Sequence, residues 1–144
     1  MPRRKYETGD IFTIPMHDGR FAICQIVCAL RGRLKQALPF GVLYIGRSQE
    51  LPADHDGEFL VFDSYRGSFQ VIFGAVSNIN AGRWNITSHL PLTPEKEALQ
   101  IFRYSTSLYH GDTFLRILPQ AEWGNYQILE VAGNELVQNY LAQH

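Results

Sequence analysis

Hydrophobic residues in the first half of this chain fall into short runs that are separated by turn residues. Two of these runs, residues 10–15 and 20–29, are rich in β-branched and aromatic side chains, and Asp18-Gly19 stands between them. An Asp-Gly pair between two apolar runs is a typical signal for a β-hairpin. Because the second run is apolar at both odd and even positions, it predicts a central strand that is covered on both faces.

The strand pattern continues to about residue 92. Residues 31–39 are basic and end at Pro39, which predicts a loop, and residues 47–57 predict a second, solvent-exposed loop because they are rich in turn residues. The remaining apolar runs predict strands over residues 40–45, 58–63 and 70–79, with residues 65–68 joining the last two, and an edge strand over residues 84–92. The side chains predicted to form the core are Ile11, Ile23, Ile26, Val42, Leu60, Phe62, Val71 and Phe73.

Helical signals begin after residue 92. Thr93-Pro94-Glu95 combines a capping hydroxyl, a proline suited to the first helical position and an early acid, and Ala98, Leu99 and Phe102 follow at helical spacing. Residues 105–119 give no single prediction. Residues 126–131 predict a last strand, and Gly133-Asn134 open a C-terminal helix with an apolar face formed by Leu136, Val137, Tyr140 and Leu141.

The order of these elements predicts the fold class. Strands come first and are followed by mixed strands and helices, which is typical of a mainly β (α+β) fold. We expect a curled antiparallel sheet or a partly open barrel with one or two late helices. The length of 144 residues suits a single domain over residues 1–144, and a composition that is 45% hydrophobic argues against disorder.

Charge is nearly balanced over the whole chain but uneven along it. The formal net charge is -1, so no overall field favours DNA or an anionic membrane as a partner. Residues 1–35 carry an excess of lysine and arginine. Residues 36–72 are acidic, because Arg47 and Arg66 stand against Glu50, Asp54, Asp56, Glu58 and Asp63.

The two cysteines and the N-terminal residues indicate the cellular compartment in which we expect the protein. On one uninterrupted strand Cys24 and Cys28 would share a face about 13 Å apart, which is too far for a disulfide. Both are therefore expected to be reduced, buried and unreactive. The first residues, Met-Pro-Arg-Arg-Lys, have no apolar run behind them, and no stretch is long enough to span a bilayer. We therefore expect a cytoplasmic protein with no membrane partner.

No cluster of residues predicts a reaction. Asp54-His55-Asp56 could offer metal ligands, but neighbouring residues in a turn do not converge on one ion, and a solvated turn is the favoured interpretation. His17-Asp18 and His110-Gly111-Asp112 place an imidazole beside a carboxylate and are interpreted as polar turns. No nucleophile elbow, phosphate loop or dinucleotide motif is present. We therefore expect no catalytic residue, no metal and no cofactor.

Two basic segments could indicate that the protein binds nucleic acid. Arg3-Arg4-Lys5 and Arg31-Gly32-Arg33 could contact phosphates, and Tyr6, Phe12 and Phe21 could stack on bases. A solvated terminus and a solvated loop explain the same residues, and the net charge of -1 favours that explanation. No nucleic-acid partner is expected.

Residues 6–27 carry the most specific pattern of the chain. Gly9-Asp10-Ile11-Phe12, then Ile14-Pro15, then Asp18-Gly19-Arg20-Phe21 resembles the opening of a bacterial family, immunity protein 26. The resemblance implies a small protein that binds the toxin domain of its own polymorphic or contact-dependent growth inhibition system and blocks it. It implies no catalytic residues. It gives structural roles to Gly9 and Asp10, at the start of the first strand, and to Asp18 and Gly19, in the first turn.

An immunity protein is thus the leading interpretation, and it needs one complementary surface rather than an active site. Our choice of surface comes from charge and aromaticity, since carboxylates can mimic the phosphates bound by a basic nuclease and aromatic side chains can anchor an interface. The residues inferred to bind the toxin are Glu50, Asp54, Asp56, Glu58, Tyr65 and Phe69.

Two other classes of function stay open. Some relatives of this family are described as phosphotriesterase-like, and a small metal-dependent hydrolase would be favoured if Asp54, His55 and distant histidines converged. A nucleic-acid-binding β-barrel module would be favoured if both basic segments and exposed aromatic residues lay on one face.

Overall fold

The computed structural model describes residues 6–55 and 57–144, and short antiparallel strands are its main regular element, with 38% of the residues in strands and 18% in helices. The strands are β1 (Asp10–Pro15), β2 (Phe21–Ile26), β3 (Ala37–Gly46), β4 (Phe62–Ser64), β5 (Gly67–Phe69), β6 (Val71–Ala75), β7 (Asn85–His89), β8 (Ile101–Tyr104), β9 (Ser107–His110) and β10 (Thr113–Ile117). The helices are α1 (Ser77–Asn80), α2 (Pro94–Glu97) and α3 (Asn134–Leu141), and residues Ala98–Gln100 and Gln120–Asn125 form 3₁₀ turns.

These strands form three open sheets. A five-stranded sheet has the order β6-β3-β2-β1-β7, a three-stranded sheet has the order β10-β9-β8, and β4 and β5 form a separate hairpin. Neighbouring strands within each sheet are antiparallel. The predicted mainly β class with a few small helices is confirmed, in its open-sheet form, since no closed barrel is built from the described residues.

The five-stranded sheet is covered on both faces, and β2 lies at its centre. Alternate residues of β2 explain this, because Cys24 and Ile26 belong to one apolar cluster and Ile23 belongs to another. The first cluster includes Val137 and Leu141 of α3. The second includes Phe102 and Tyr109 from β8 and β9. The sequence prediction of a central, doubly covered strand is therefore confirmed, with α3 on one side and the three-stranded sheet on the other.

Three aromatic rings form the centre of the first cluster. Phe12 is fully buried, meets the ring of Phe40 edge-on at 5.2 Å and stacks on the ring of Trp84 at 5.6 Å. Aromatic pairs in such geometries contribute about 0.5–1.5 kcal/mol beyond the burial of their surface. Seven of the eight predicted core residues are buried, and the exception is Leu60, which is only half-buried at the edge of this cluster.

The predicted loop before β3 ends too late, because β3 already begins at Ala37 and runs through Pro39. The carbonyl of Pro39 accepts a hydrogen bond of 2.9 Å from the N–H of Val27, one residue beyond the end of β2. In a regular antiparallel pair the backbone N–H of residue 39 would donate to the Val27 carbonyl, but proline has no N–H. Here the side-chain amide of Gln100 donates to that carbonyl at 2.9 Å, so the strand tolerates proline at this position.

Two strand predictions in the middle of the chain are wrong in extent. The predicted strand 58–63 shrinks to β4, and an isolated hydrogen bond of 2.8 Å from the Leu60 N–H to the Val42 carbonyl ties the preceding residues to the sheet. The predicted strand 70–79 is cut short, because β6 ends at Ala75 and α1 follows. The predicted edge strand over 84–92 is confirmed as β7 at the border of the sheet.

The late elements are partly confirmed. Helix α2 starts as predicted, with the Thr93 hydroxyl accepting from the Lys96 N–H at 3.4 Å. It ends after one turn, and Phe102 lies in β8 rather than on a helix. The predicted last strand 126–131 is irregular and has only one isolated bridge, from Ile128 to Arg103. Helix α3 is present, but Leu136 is 43% exposed and does not share the buried face of Val137 and Leu141.

Candidate binding surface

The glycine of the sequence motif, Gly9, joins three strands. Its N–H donates to the Ile26 carbonyl at 2.8 Å, and its carbonyl accepts from the Leu90 N–H at 3.0 Å. Its φ is +94°, and a Cβ at this position would lie 2.6 Å from the Leu90 carbonyl oxygen. The position therefore needs glycine for both its backbone conformation and the close approach of residue 90.

Asp10 closes the same corner of the sheet. One carboxylate oxygen accepts from the Glu7 N–H at 2.8 Å, and the other lies 2.8 Å from Nδ1 of His89, the cross-strand partner of Asp10. Glu7, Asp10 and His89 are the one group of described residues whose potential metal-ligating atoms lie within 4.8 Å of one another. Both oxygens of Asp10 already have protein partners, so hydrogen bonding between β1 and β7 accounts for this cluster.

The first turn is built by Asp18 and Gly19. The N–H and the Nε of Arg20 donate to the Asp18 carboxylate at 3.0 and 2.8 Å, which lowers the pKa of that carboxyl. Arg20 also donates to the carbonyl of His144 at 3.0 Å, so the turn contacts the end of the chain. His17 is exposed, and its ring lies 3.8 Å from the Glu135 carboxylate rather than forming an acid–base pair with Asp18.

The predicted acidic surface lies on residues 47–58, called the acidic loop below. Glu50, Asp54 and Glu58 are exposed, whereas Asp56 lies outside the described residues. His55 fastens this loop to the sheet, because its Nε2 lies 2.6 Å from the Leu43 carbonyl and its Nδ1 accepts from the Gly57 N–H at 2.8 Å. Both ring nitrogens of this histidine are thus engaged with the backbone, and the convergence that the hydrolase interpretation requires is not found among the described residues.

The two predicted aromatic anchors differ in exposure. Tyr65 stands in the turn between β4 and β5 and is 89% exposed, with the guanidinium of Arg66 5.2 Å from its ring centre. Phe69 is half-buried, and its ring lies 5.0 Å from Tyr140 and 6.0 Å from Phe62. Tyr65 is therefore available to a partner, while Phe69 mainly fixes the hairpin against α3.

A groove runs beside this hairpin, and no local sequence pattern predicts it. Its volume is about 1050 Å³, and it is lined by the β4–β5 hairpin, β6 and residues between Trp123 and Tyr140. An ion pair of 3.1 Å joins Arg66 of the hairpin to Glu130 on the C-terminal segment. Leu136, which helical spacing assigns to the apolar face of α3, is exposed at this groove instead.

The other polar pairs have structural roles. The Asp112 carboxylate accepts hydrogen bonds from the N–H of Arg31 at 3.1 and 2.9 Å and from the N–H of Gly32 at 2.9 Å, and it thereby fixes the loop before β3. His110 lies 3.2 Å from the side chain of Gln100. Neither pair presents an acid and a base to a common point.

Among the described residues, the aromatic side chains named for base stacking are not exposed as nucleic-acid binding would require. Phe12 is fully buried and Tyr6 is 7% exposed, so neither ring is free to stack on a base, and Phe21 is half-buried. The guanidinium of Arg31 covers the Tyr6 ring at 4.5 Å. The first basic segment, Arg3-Arg4-Lys5, lies outside the described residues.

Both cysteines are free and buried. Because β2 ends at Ile26, they do not share a face, and Cys24 packs in the first apolar cluster while Cys28 packs in the second. Burial raises the pKa of the Cys24 thiol well above its ordinary value. Burial, together with the nearby Asp112 carboxylate, raises the pKa of Cys28 to about 11.

Among the described helices, none combines the length and the apolar composition that a bilayer crossing requires.

Comparison with known families connects these features. The family model described as Immunity protein 26 matches residues 7–113, which include the motif residues Gly9, Asp10, Asp18 and Gly19, the acidic loop and the β4–β5 hairpin. Because the match covers well over half of the chain, this protein belongs to the immunity protein 26 family, a family of immunity proteins in toxin–immunity systems. No curated protein and no solved structure matches the chain.

Proposed function

We propose that this protein is a cytoplasmic bacterial immunity protein that binds the toxin domain of its own polymorphic or contact-dependent growth inhibition system and neutralises it. Membership of the immunity protein 26 family is the observation that carries the proposal. The protein acts by occupying the toxin and performs no catalysis itself. Its partner is the cognate toxin domain, and neither a cofactor nor a nucleic acid takes part.

The acidic loop supplies the electrostatic part of the interface. The side chains of Glu50 and Asp54 are exposed, and no described residue forms an ion pair with either of them. Carboxylates that are not neutralised by the protein's own cations attract a basic partner and speed its association. Against a nuclease toxin, these carboxylates take the positions of substrate phosphates.

Tyr65 supplies the anchor. Its ring is 89% exposed at the tip of a hairpin, in the part of the chain that follows the acidic loop. Tyrosine offers a large contact area at a small cost in conformational entropy, and such residues dominate the energetics of many interfaces. The proposed interface therefore combines charged residues that guide association with an aromatic residue that slows dissociation.

A matched pair of charge reversals tests the acidic loop. The variant Glu50→Lys/Asp54→Lys and the control Glu95→Lys/Glu97→Lys, which reverses two exposed acids on α2, change the net charge equally. We expect the loop variant to slow association with a catalytically inactivated toxin domain by about tenfold or more at low salt. The control is expected to have a much smaller effect.

Stopped-flow fluorescence or surface plasmon resonance at several salt concentrations measures these rates. Equal association rates for the two variants would remove the acidic loop from the interface and leave immunity intact. Failure of the unmodified protein to bind the toxin domain encoded beside it would remove the proposed function itself.

A further inference from the structure

The groove beside the β4–β5 hairpin presents apolar side chains to solvent from two separate parts of the chain. Val61 and Tyr65 are 48% and 89% exposed on the hairpin side, and Val131 and Leu136 are 49% and 43% exposed on the C-terminal side. These four exposed side chains lie around one concavity, where a binding partner could bury them.

The charged residues of the groove indicate which charge its occupant should carry. Arg66, Arg103 and Glu130 are the charged residues that line it, so its walls carry one more positive than negative charge. This sign is opposite to that of the neighbouring acidic stretch and of the whole chain, whose net charge is -1. A carboxylate on the occupant therefore matches the groove.

Arg103 reinforces this conclusion. Its guanidinium lies 4.7 Å from the ring centre of Trp123, and one of its nitrogens donates to the Ser105 carbonyl at 2.6 Å. Its Nε is buried and has no hydrogen-bond partner among the described residues. A guanidinium that lies over an indole ring at the wall of the groove suits a carboxylate that stands beside an apolar side chain.

We infer that this groove binds a segment of the cognate toxin domain that presents an aromatic or aliphatic side chain next to an aspartate or glutamate. The inference rests on the proposed function and assigns a second surface to it, opposite in charge to the acidic loop. A volume of about 1050 Å³ exceeds what a single side chain needs and accommodates a short peptide segment.

The two walls of the groove come from different parts of the chain. The hairpin wall lies within residues 7–113, which match the family model, whereas Trp123, Val131 and Leu136 lie beyond the matched region. One wall therefore belongs to the family domain and the other to the C-terminal part of this chain.

The chain carries its own reporter and control for a test. It has two tryptophans, of which Trp123 lines the groove, while Trp84 is 5% exposed in the core. Protein labelled with 5-fluorotryptophan is titrated with the inactivated toxin domain and followed by ¹⁹F NMR. We expect the Trp123 resonance to shift and to saturate at one equivalent, while the Trp84 resonance stays in place.

Paired substitutions then test the direction of the charge effect. Leu136→Glu puts a negative charge into the groove, and Leu115→Glu makes the same change at a side chain of β10 that is equally exposed, at 46%, and lies outside the groove. We expect Leu136→Glu to raise the Kd at least about tenfold and Leu115→Glu to change it less than about twofold. Val131→Glu repeats the test if Leu136→Glu lowers the melting temperature.

The outcomes separate the two proposals. Tight binding by the unmodified protein, with an unmoved Trp123 resonance and a neutral Leu136→Glu, overturns the groove inference and leaves the proposed function standing. A Trp123 shift that depends on protein concentration without toxin assigns the groove to a second copy of this chain and also overturns the inference. Absence of any binding overturns the proposed function.

Discussion

The two motif glycines, Gly9 and Gly19, allow the structural role of the motif to be measured. Their φ values are similar, at +94° and +88°, so replacement by alanine imposes a comparable backbone strain of about 1–2 kcal/mol on each. Their surroundings differ. A Cβ at Gly9 would lie 2.6 Å from the Leu90 carbonyl oxygen, whereas a Cβ at Gly19 would have only the Arg47 guanidinium at 3.6 Å.

The difference in surroundings sets the expected magnitudes. Forcing backbone atoms apart in a packed region costs about 1–3 kcal/mol more, so Gly9→Ala should destabilise the protein by about 2–5 kcal/mol and Gly19→Ala by about 1–2 kcal/mol. Urea unfolding followed by circular dichroism measures both. With a slope of about 2 kcal/mol per molar urea, Gly9→Ala shifts the midpoint by about 1–2.5 M.

Gly124→Ala is a suitable reference, because its Cβ meets nothing within 4 Å and its φ is not in the left-handed region, so no loss of stability is expected. Equal midpoints for Gly9→Ala and Gly19→Ala would show that residue 90 moves away freely. That result would refute the role of Gly9 as the junction between β1, β2 and the end of β7.

Two further predictions concern packing and protonation. Phe62→Ala removes a fully buried ring and should lower the free energy of unfolding by about 3–5 kcal/mol, whereas Leu60→Ala removes a half-buried side chain and should lower it by less than about 2 kcal/mol. Urea unfolding measures both values, and equal losses would contradict the placement of β4. The pKa of Cys28 rises from 9.0 to about 11 in the folded protein, so its neutral thiol favours folding and this contribution is lost as the pH rises from about 9 towards 11. Cys28→Ala should flatten that part of the stability profile, and rapid alkylation of the native protein near neutral pH would contradict the burial of this thiol.

Much of the five-stranded sheet can be read from local pattern. The β1–β2 hairpin follows from two apolar runs and an Asp-Gly turn, and the central place of β2 follows from its two apolar faces. The start of α2 follows from its capping threonine and its proline. These features depend on residues that are close in sequence, where the pattern carries the information.

Features that depend on distant residues were not predicted. Pro39 lies within β3 because the side chain of Gln100, 61 positions later, satisfies the carbonyl that proline cannot. Lys96 is buried, and its amino group donates to Gln25 of the central strand at 2.8 Å and lies 4.3 Å from the ring centre of Phe59. Neither partner can be inferred from the residues around it.

The candidate binding surface, too, could be predicted only in part from local sequence. The exposure of Tyr65, Glu50 and Asp54 agrees with their position in turn-rich sequence. The groove could not be predicted, because its walls come from residues 61–73 and 123–140, which the fold brings together only through tertiary packing. Leu136 shows the limit most clearly, since helical spacing assigns it to the core and the structure exposes it.

The central claim is that this protein neutralises its cognate toxin. The most direct measurement is the growth rate of bacterial cells that produce the toxin domain encoded beside this gene, with this protein co-produced or absent. Membership of the immunity protein 26 family predicts growth arrest without the protein and restored growth with it. Continued arrest in cells that contain the folded protein in excess over the toxin domain would contradict the claim.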